Sequence, residues 1–301
     1  SAKITVDGDT IRCWGRPHGA ETMADGLKNS CNPVFVELAL RMGTDTFYRY
    51  LTAFGLGKKT GIDLPGESPG ILITSRNVKR VDLARIGFGQ SVALTPIQMM
   101  MAANSVINGG KLMKPYIVSE IQTPDGETLE RFHPTVMAAP IRPETSDTMR
   151  LLLERVVSEG GGKNAAIAGY RIGGKTGTAQ VYKNGRVVRD THIGSFYGFA
   201  PVNDPQVSIL VIVKEADVPI DYGGTTAAPF ARQIMQEMLP YLGIEPENDE
   251  KDEEIEVPAL KGLTIGDAKR KLSQVGLESV TDGANTVVLD QLRSEEHTSE
   301  L

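Results

Sequence analysis

Apolar and polar positions change their period along the chain, and the changes divide it into parts. In the first half, apolar residues recur at three- and four-residue spacing, as on the buried face of a helix. Val36, Leu38, Ala39 and Met42 form one such run after Pro33, which suits a first helical turn, and Gly43 ends it. A second helix is expected from Thr44 to about Phe54, closed by Gly55. Thr95-Pro96 pairs an N-cap with a first-turn proline and opens a helix ending at Asn108-Gly109-Gly110. Residues 143–158 make another, stopped by Gly160-Gly161-Gly162. Residues 1–30 read as loop with short strands, and residues 56–92, rich in Gly and Pro, as irregular.

Beyond residue 170 the period falls to two. Residues 170–182 alternate as a strand does, Asn184-Gly185 is a two-residue hairpin signal, and Val187 onward pairs back. Ser195–Ala200 and Val207–Lys214 are two more strands around the turn Val202-Asn203-Asp204-Pro205. Thr226–Leu239 returns to the helical period. Helices, an antiparallel meander and a helix laid back onto it predict an α+β fold. Farther on, Val257-Pro258-Ala259-Leu260 opens a small unit with a helix over Thr264–Val275, Gly276 as its stop and a strand over Val287–Leu289. Units this short seldom fold alone.

Composition adds boundaries rather than chemistry. With 301 residues, 40% hydrophobic and 23% charged, the chain has the make-up of a globular protein with one large domain and something smaller. Between Glu245 and Glu256, eight acidic residues face one lysine, more negative charge than the net −6 of the whole chain. That run reads as a solvated linker over 244–256 and implies no basic partner. No basic stripe suggests nucleic acid. No run of 18 apolar residues suggests a membrane span, and no signal peptide is visible.

Candidate chemistry sits in two places. Gly173-Gly174-Lys175-Thr176-Gly177-Thr178 opens the first strand of the meander. A Lys-Thr-Gly there can line a groove: Lys175 brings positive charge, the Thr176 and Thr178 hydroxyls suit a carboxylate, and Gly177 lets a substrate backbone approach. Ser30-Cys31-Asn32 stands just before a helix and reads either as an N-cap or as part of a site. Ser-x-x-Lys, Ser-Asp-Asn and Lys-Thr-Gly together form the signature of penicillin-binding proteins and class A β-lactamases. The chain resembles the class B penicillin-binding proteins of Gram-positive bacteria, and among them the sporulation type. The resemblance rests on residues 28–33, 60–67, 87–90, 94–98, 175–180 and 222–229, and covers 1 to about 243.

This resemblance implies a serine β-lactamase/penicillin-binding transpeptidase-like fold, with an antiparallel sheet flanked by helices. The expected activity is D,D-transpeptidation of peptidoglycan stem peptides through a serine acyl-enzyme, with β-lactams as inhibitors and no cofactor. Ser30 would relay a proton, Asn32 would hold the substrate amide and Lys175 would add positive potential. Thr176 and Thr178 would bind the substrate carboxylate, and the Thr178 N–H would be an oxyanion donor. Cys31 stands where the signature has Asp, a position at which the family varies. No serine is followed three residues on by lysine, so the nucleophile motif is expected upstream of Ser1, and the 301 residues alone are expected to be inactive. The resemblance also implies the outer face of the cell membrane, an N-terminal anchoring helix and a membrane glycosyltransferase as partner.

Residues 257–292 resemble half of a PASTA module, a wall-recognition unit. Residues 293–301 resemble a translated sequencing adapter and are set aside. Cys13 and Cys31 form a redox candidate, whose pairing would displace Ser30 and Asn32 and call for a thiol reductant; the alternative is that Cys31 is simply a small buried residue. His18, His133 and His192 lack ligand-like spacing, so no metal is expected. Two rival functions remain: a β-lactamase or β-lactam sensor, and a non-catalytic wall-binding protein. Against the first, no Glu is followed four residues on by the Asn that a class A deacylation loop carries.

Overall fold

The computed structural model describes residues 3–15, 17–183, 186–247, 258–274 and 286–288, excluding the side chains of residues 189 and 190. The chain divides into two compact units, residues 1–247 and 248–301. None of the described helices is long and apolar enough to cross a membrane.

In the first unit, β1 (Lys3–Val6) and β2 (Asp9–Arg12) form an antiparallel hairpin. Its turn, Asp7-Gly8, has both residues at positive φ, as a tight hairpin turn of this kind requires. Next come α1 (Met23–Lys28) and α2 (Asn32–Ala53), the latter broken at Gly43, whose φ of 73° and ψ of 163° are not helical. The two helices expected on either side of Gly43 are thus present. Segments that look irregular in sequence hold more structure: α1 lies in the first and α3 (Arg80–Gly87) in the second. Both are too short to show a helical period. Val6, Ile11, Val36 and Ala84 bury a small core joining the hairpin to α2 and α3.

The helix α4 (Pro96–Ile107) starts and stops where its caps predict, with Thr95 accepting from the Gln98 N–H and Asn108 closing it. Two small antiparallel pairs without a sequence signal follow, β3 (Leu112–Met113) with β6 (Val136–Ala138), and β4 (Glu120–Gln122) with β5 (Thr128–Arg131). Then comes α5 (Pro143–Ser158).

The main sheet is β7 (Gly173–Lys183), β8 (Arg186–Ala200) and β9 (Val207–Lys214), antiparallel in that order. The strand expected over 195–200 is the end of β8, which runs unbroken through Gly194 because it pairs with neighbours on both sides there. The hairpin signal Asn184-Gly185 lies outside the described residues. Behind the sheet stand α6 (Gly223–Thr226) and α7 (Ala228–Tyr241); the expected helix begins two residues late because α6 forms its own turn first.

Alternation along β8 builds two cores. Phe196 and Ala200 face α7 with Ala231, Met235 and Leu239. Tyr197 and Phe199 face the other way, with Ile107 of α4 and Leu153 of α5. The sheet is therefore sandwiched between helices, with β7 at its edge.

In the second unit, α8 (Ile265–Ser273) is capped by Thr264 and packs Ala268 and Leu272 on Leu260, with Val288 alongside. The bridge Thr264–Val287 is its one described strand pairing. Val257, Val275, Gly276 and Leu289, named in the sequence expectations, lie outside the described residues.

Candidate active site

The chain reverses between α1 and α2 through a single residue. Asn29 caps α1, Ser30 takes a left-handed conformation at φ 53°, and Cys31 is the N-cap of α2. Cys31 makes no side-chain cap bond, and Ser30 is one position too early to cap. The Ser30 hydroxyl is therefore not spent on the helix. It accepts a hydrogen bond from the Lys175 ammonium at 2.8 Å, across 145 positions of sequence. Lys175 Nζ also donates to the Thr176 carbonyl at 2.9 Å. Burial lowers the pKa of this amine to about 8, since an ammonium loses hydration there. With the Lys175 proton directed at its oxygen, the Ser30 O–H keeps its own proton to donate elsewhere.

The neighbouring groups are set by the same elements. The Asn32 amide donates to the Arg12 carbonyl at the end of β2 at 3.0 Å, leaving its oxygen as an acceptor. Trp14 Nε1 donates to the Asn29 carbonyl at 2.9 Å, pinning the reversal from outside. Along β7, the Thr178 hydroxyl accepts from the Gly223 N–H at 3.2 Å and keeps its proton to donate. Gly223 is required there: a Cβ would lie 2.3 Å from both the Gly177 and Ser195 carbonyl oxygens. At Gly177 a Cβ would meet the Ser195 hydroxyl at 2.5 Å, so this glycine also serves packing inside the sheet. Ser30, Lys175, Thr176, Gly177 and Thr178 thus share the edge of the sheet, while Asn32 turns its nitrogen toward β2.

In two further segments that carry the resemblance, residues 60–67 and 94–98, the polar side chains bond to nearby backbone. Glu67 accepts from the Thr60 N–H and hydroxyl and from the Gly61 N–H, and Asp63 from the Ile117 and Val118 N–H groups. Gln98, fully buried, donates to the Lys58 and Pro69 carbonyls and accepts from the Thr95 N–H. These are turn and loop fasteners. Two aromatic contacts had no sequence signal. Tyr222 lies edge-on to both Trp14 and His192, and the His192 ring and N–H both bond to Asp221, at 2.7 and 2.6 Å.

Cys13 and Cys31 are free thiols, the first half-buried and the second buried. Burial, then the Glu21 carboxylate beside it, pushes the Cys31 thiol up to about 12. His18, whose spacing in sequence assigned it no ligand role, lies with them: its Nδ1 is 3.7 Å from Cys13 Sγ.

The comparisons with known proteins agree on the family. Residues 1–236 match the model of the penicillin-binding protein transpeptidase domain. Stage V sporulation protein D of Bacillus subtilis is 41% identical over 292 residues, 94% of this chain and 45% of that protein. Penicillin-binding protein PbpB of Mycolicibacterium smegmatis is 32% identical over 78% of this chain and 38% of its own length. The chain thus spans less than half the length of these relatives. Among solved structures, penicillin-binding protein 3 of Mycobacterium tuberculosis, in complex with ampicillin, superposes with a TM-score of 0.76 at 27% identity, covering 83% of this chain and 57% of that one. The transpeptidase domain of Burkholderia pseudomallei penicillin-binding protein 3 gives 0.72 at 28% identity, covering 81% and 71%.

Proposed function

Because the chain belongs to the penicillin-binding protein transpeptidase family, we propose that it forms part of a peptidoglycan D,D-transpeptidase that works through a serine acyl-enzyme and binds β-lactams. The observation that carries this reading is the 2.8 Å bond from Lys175 to a Ser30 hydroxyl that caps no helix. With its oxygen held by an ammonium, Ser30 can hand its own proton to a leaving amine and take one from an attacking hydroxyl. Lys175, with a pKa near 8, stays mostly charged at neutral pH yet yields its proton more readily than a surface lysine. Asn32 offers an acceptor to the substrate amide, and Thr176 and Thr178 offer hydroxyl protons to its carboxylate.

The attacking serine is not among these groups, since none of the 301 residues begins a Ser-x-x-Lys. We infer that it lies outside them, and that the domain acts on the outer face of the cell membrane, where its substrate is assembled. The capped helix and small core of the second unit fit a PASTA-like wall-recognition element.

Fluorescent penicillin tests this. The 301-residue chain is expected to take no covalent label, whereas the whole protein labels and its Ser30→Ala variant acylates about 10²- to 10⁴-fold more slowly. Denaturation-resistant label on the 301-residue chain, or unchanged acylation in the variant, would sink the proposal.

A further inference from the structure

Beside the groups just described, four side chains from three short segments converge without an assigned task. Cys13 follows β2, His18 and Glu21 lie in the loop before α1, and Cys31 caps α2. Cys13 Sγ, Cys31 Sγ and a ring nitrogen of His18 all lie within 4.8 Å of one another, and His18 Nδ1 is 3.7 Å from Cys13 Sγ. Two ligands of one tetrahedral zinc ion, with bonds of about 2.0–2.3 Å, stand about 3.5–3.8 Å apart. The three atoms are therefore close to a coordination triangle before any movement.

The second observation is Glu21. Its side chain is 3% exposed. Oε1 accepts from the Asn29 amide at 2.8 Å and lies 3.5 Å from His18 Nδ1. Oε2 is buried with no hydrogen-bond partner, the one such side-chain atom among the described residues. A buried carboxylate oxygen left unpaired is costly, because it has lost its hydration and gained nothing in return, and a cation beside it removes that cost.

We propose that Cys13, His18, Cys31 and Glu21 form a zinc-binding site, with the orphaned Glu21 oxygen as the fourth ligand. Two thiolates, an imidazole and a carboxylate suit zinc rather than magnesium or calcium, which take oxygen ligands alone. On binding, Cys13 and Cys31 each lose a proton to solvent and no electron moves, so no redox partner is needed. The ion would staple the residue after β2 to the N-cap of α2. Because Cys31 stands between Ser30 and Asn32, it would also hold the Ser30 reversal in place from behind. Bound thiolates would be shielded from oxidation, the opposite of a Cys13–Cys31 pairing. The site does not rest on the transpeptidase reading, since zinc uptake requires no acylation.

The chain has only two cysteines, so thiol chemistry reports this site alone. Reduced protein, freed of metal by a chelator, is given zinc chloride and dialysed, and metal is counted by elemental analysis. One zinc per chain is expected, both thiols becoming protected from a disulfide reagent and exposed again by chelator. Cobalt(II) in its place should give the sulfur-to-metal charge-transfer band of a tetrahedral thiolate site. His18→Ala removes a partly exposed ring and should weaken zinc binding by at least the roughly 10- to 100-fold that losing a ligand's own hydrogen-bond partner costs. Glu21→Gln should weaken it too, and an unchanged far-UV circular dichroism spectrum in both variants verifies folding. Zinc well below one per chain, equal retention by the His18→Ala variant, or thiols that close into a disulfide at the same rate with zinc present would each overturn the site.

Discussion

At the scale of single residues, Ser30 combines a cost with a task. A non-glycine residue at φ 53° stores about 1–3 kcal/mol of backbone strain, held in place by the helices on either side. Both Ser30→Gly and Ser30→Ala delete the hydroxyl and leave the Lys175 ammonium only the Thr176 carbonyl, but Ser30→Gly should release the strain and Ser30→Ala should keep it. Urea melts are therefore expected to rank Ser30→Gly above Ser30→Ala by about 1 kcal/mol or more, with both variants equally poor at acylation in the whole protein. Equal stabilities would show that no strain is stored. Lys175 supplies a pH signature. Its pKa falls from 10.5 unfolded to about 8 folded, so between these values the unfolded chain binds more protons. Its contribution to stability therefore rises with pH across that window and is flat below it. Subtracting the Lys175→Met profile from that of the parent should leave this rise, because the other titrating groups cancel; a flat difference would place the amine in water.

Among the elements, the helix starts carry the most testable detail. Thr95 and Gln98 form a reciprocal cap on α4, and Gln98 also holds two loop carbonyls from inside the core. Thr95→Ala should cost about 1 kcal/mol. Gln98→Leu should cost more, because it removes three hydrogen bonds, those to the Lys58 and Pro69 carbonyls and that from the Thr95 N–H, at about 0.5–1.5 kcal/mol each. Thermal melts of the two variants check the order, and a milder effect for Gln98→Leu would mean that water replaces the amide. The junction between β7 and α6 depends on Gly223, whose added Cβ would strike two backbone oxygens that cannot move without breaking the sheet. Gly223→Ala should destabilise the fold by about 1–3 kcal/mol and loosen the Gly223–Thr178 bond. A crystal structure of the variant with that bond intact would contradict the argument.

Across the larger unit, the site edge belongs to neither half of the chain. The sheet supplies Lys175 and the threonines, and the helical half supplies Ser30. Carboxylates fasten the loops between these parts. Asp221 is pushed up by burial, but its bonds from His192 outweigh this and leave it below the usual carboxylate range. Glu67, bonded by Thr60 and Gly61, is lowered as well. A depressed carboxyl contributes stability that is complete above its unfolded pKa and lost as pH falls through its folded one. Denaturant melts should therefore weaken as pH drops below about 4, and Asp221→Asn should flatten part of that acid slope. An unchanged slope in the variant would mean that Asp221 is not a source of acid lability.

What the sequence by itself determined was local. Its periods marked α4, α5, β9 and the break at Gly43, because capping, proline placement and glycine freedom act within a few residues. Its short motifs marked Ser30 and Lys175, since each needs only a residue type at a known spacing. Short α1 and α3 escaped, having no room to show a period. The tertiary structure alone decided whether Ser30 caps a helix or faces Lys175, because that turns on one φ angle and on a contact spanning 145 positions. It alone gathered Cys13, His18, Glu21 and Cys31, whose spacing matches no metal motif: the hairpin, the loop before α1 and the start of α2 meet only when their apolar faces share a core. Periodicity records which face of each element is buried, and the folded chain decides which polar side chains that burial brings together.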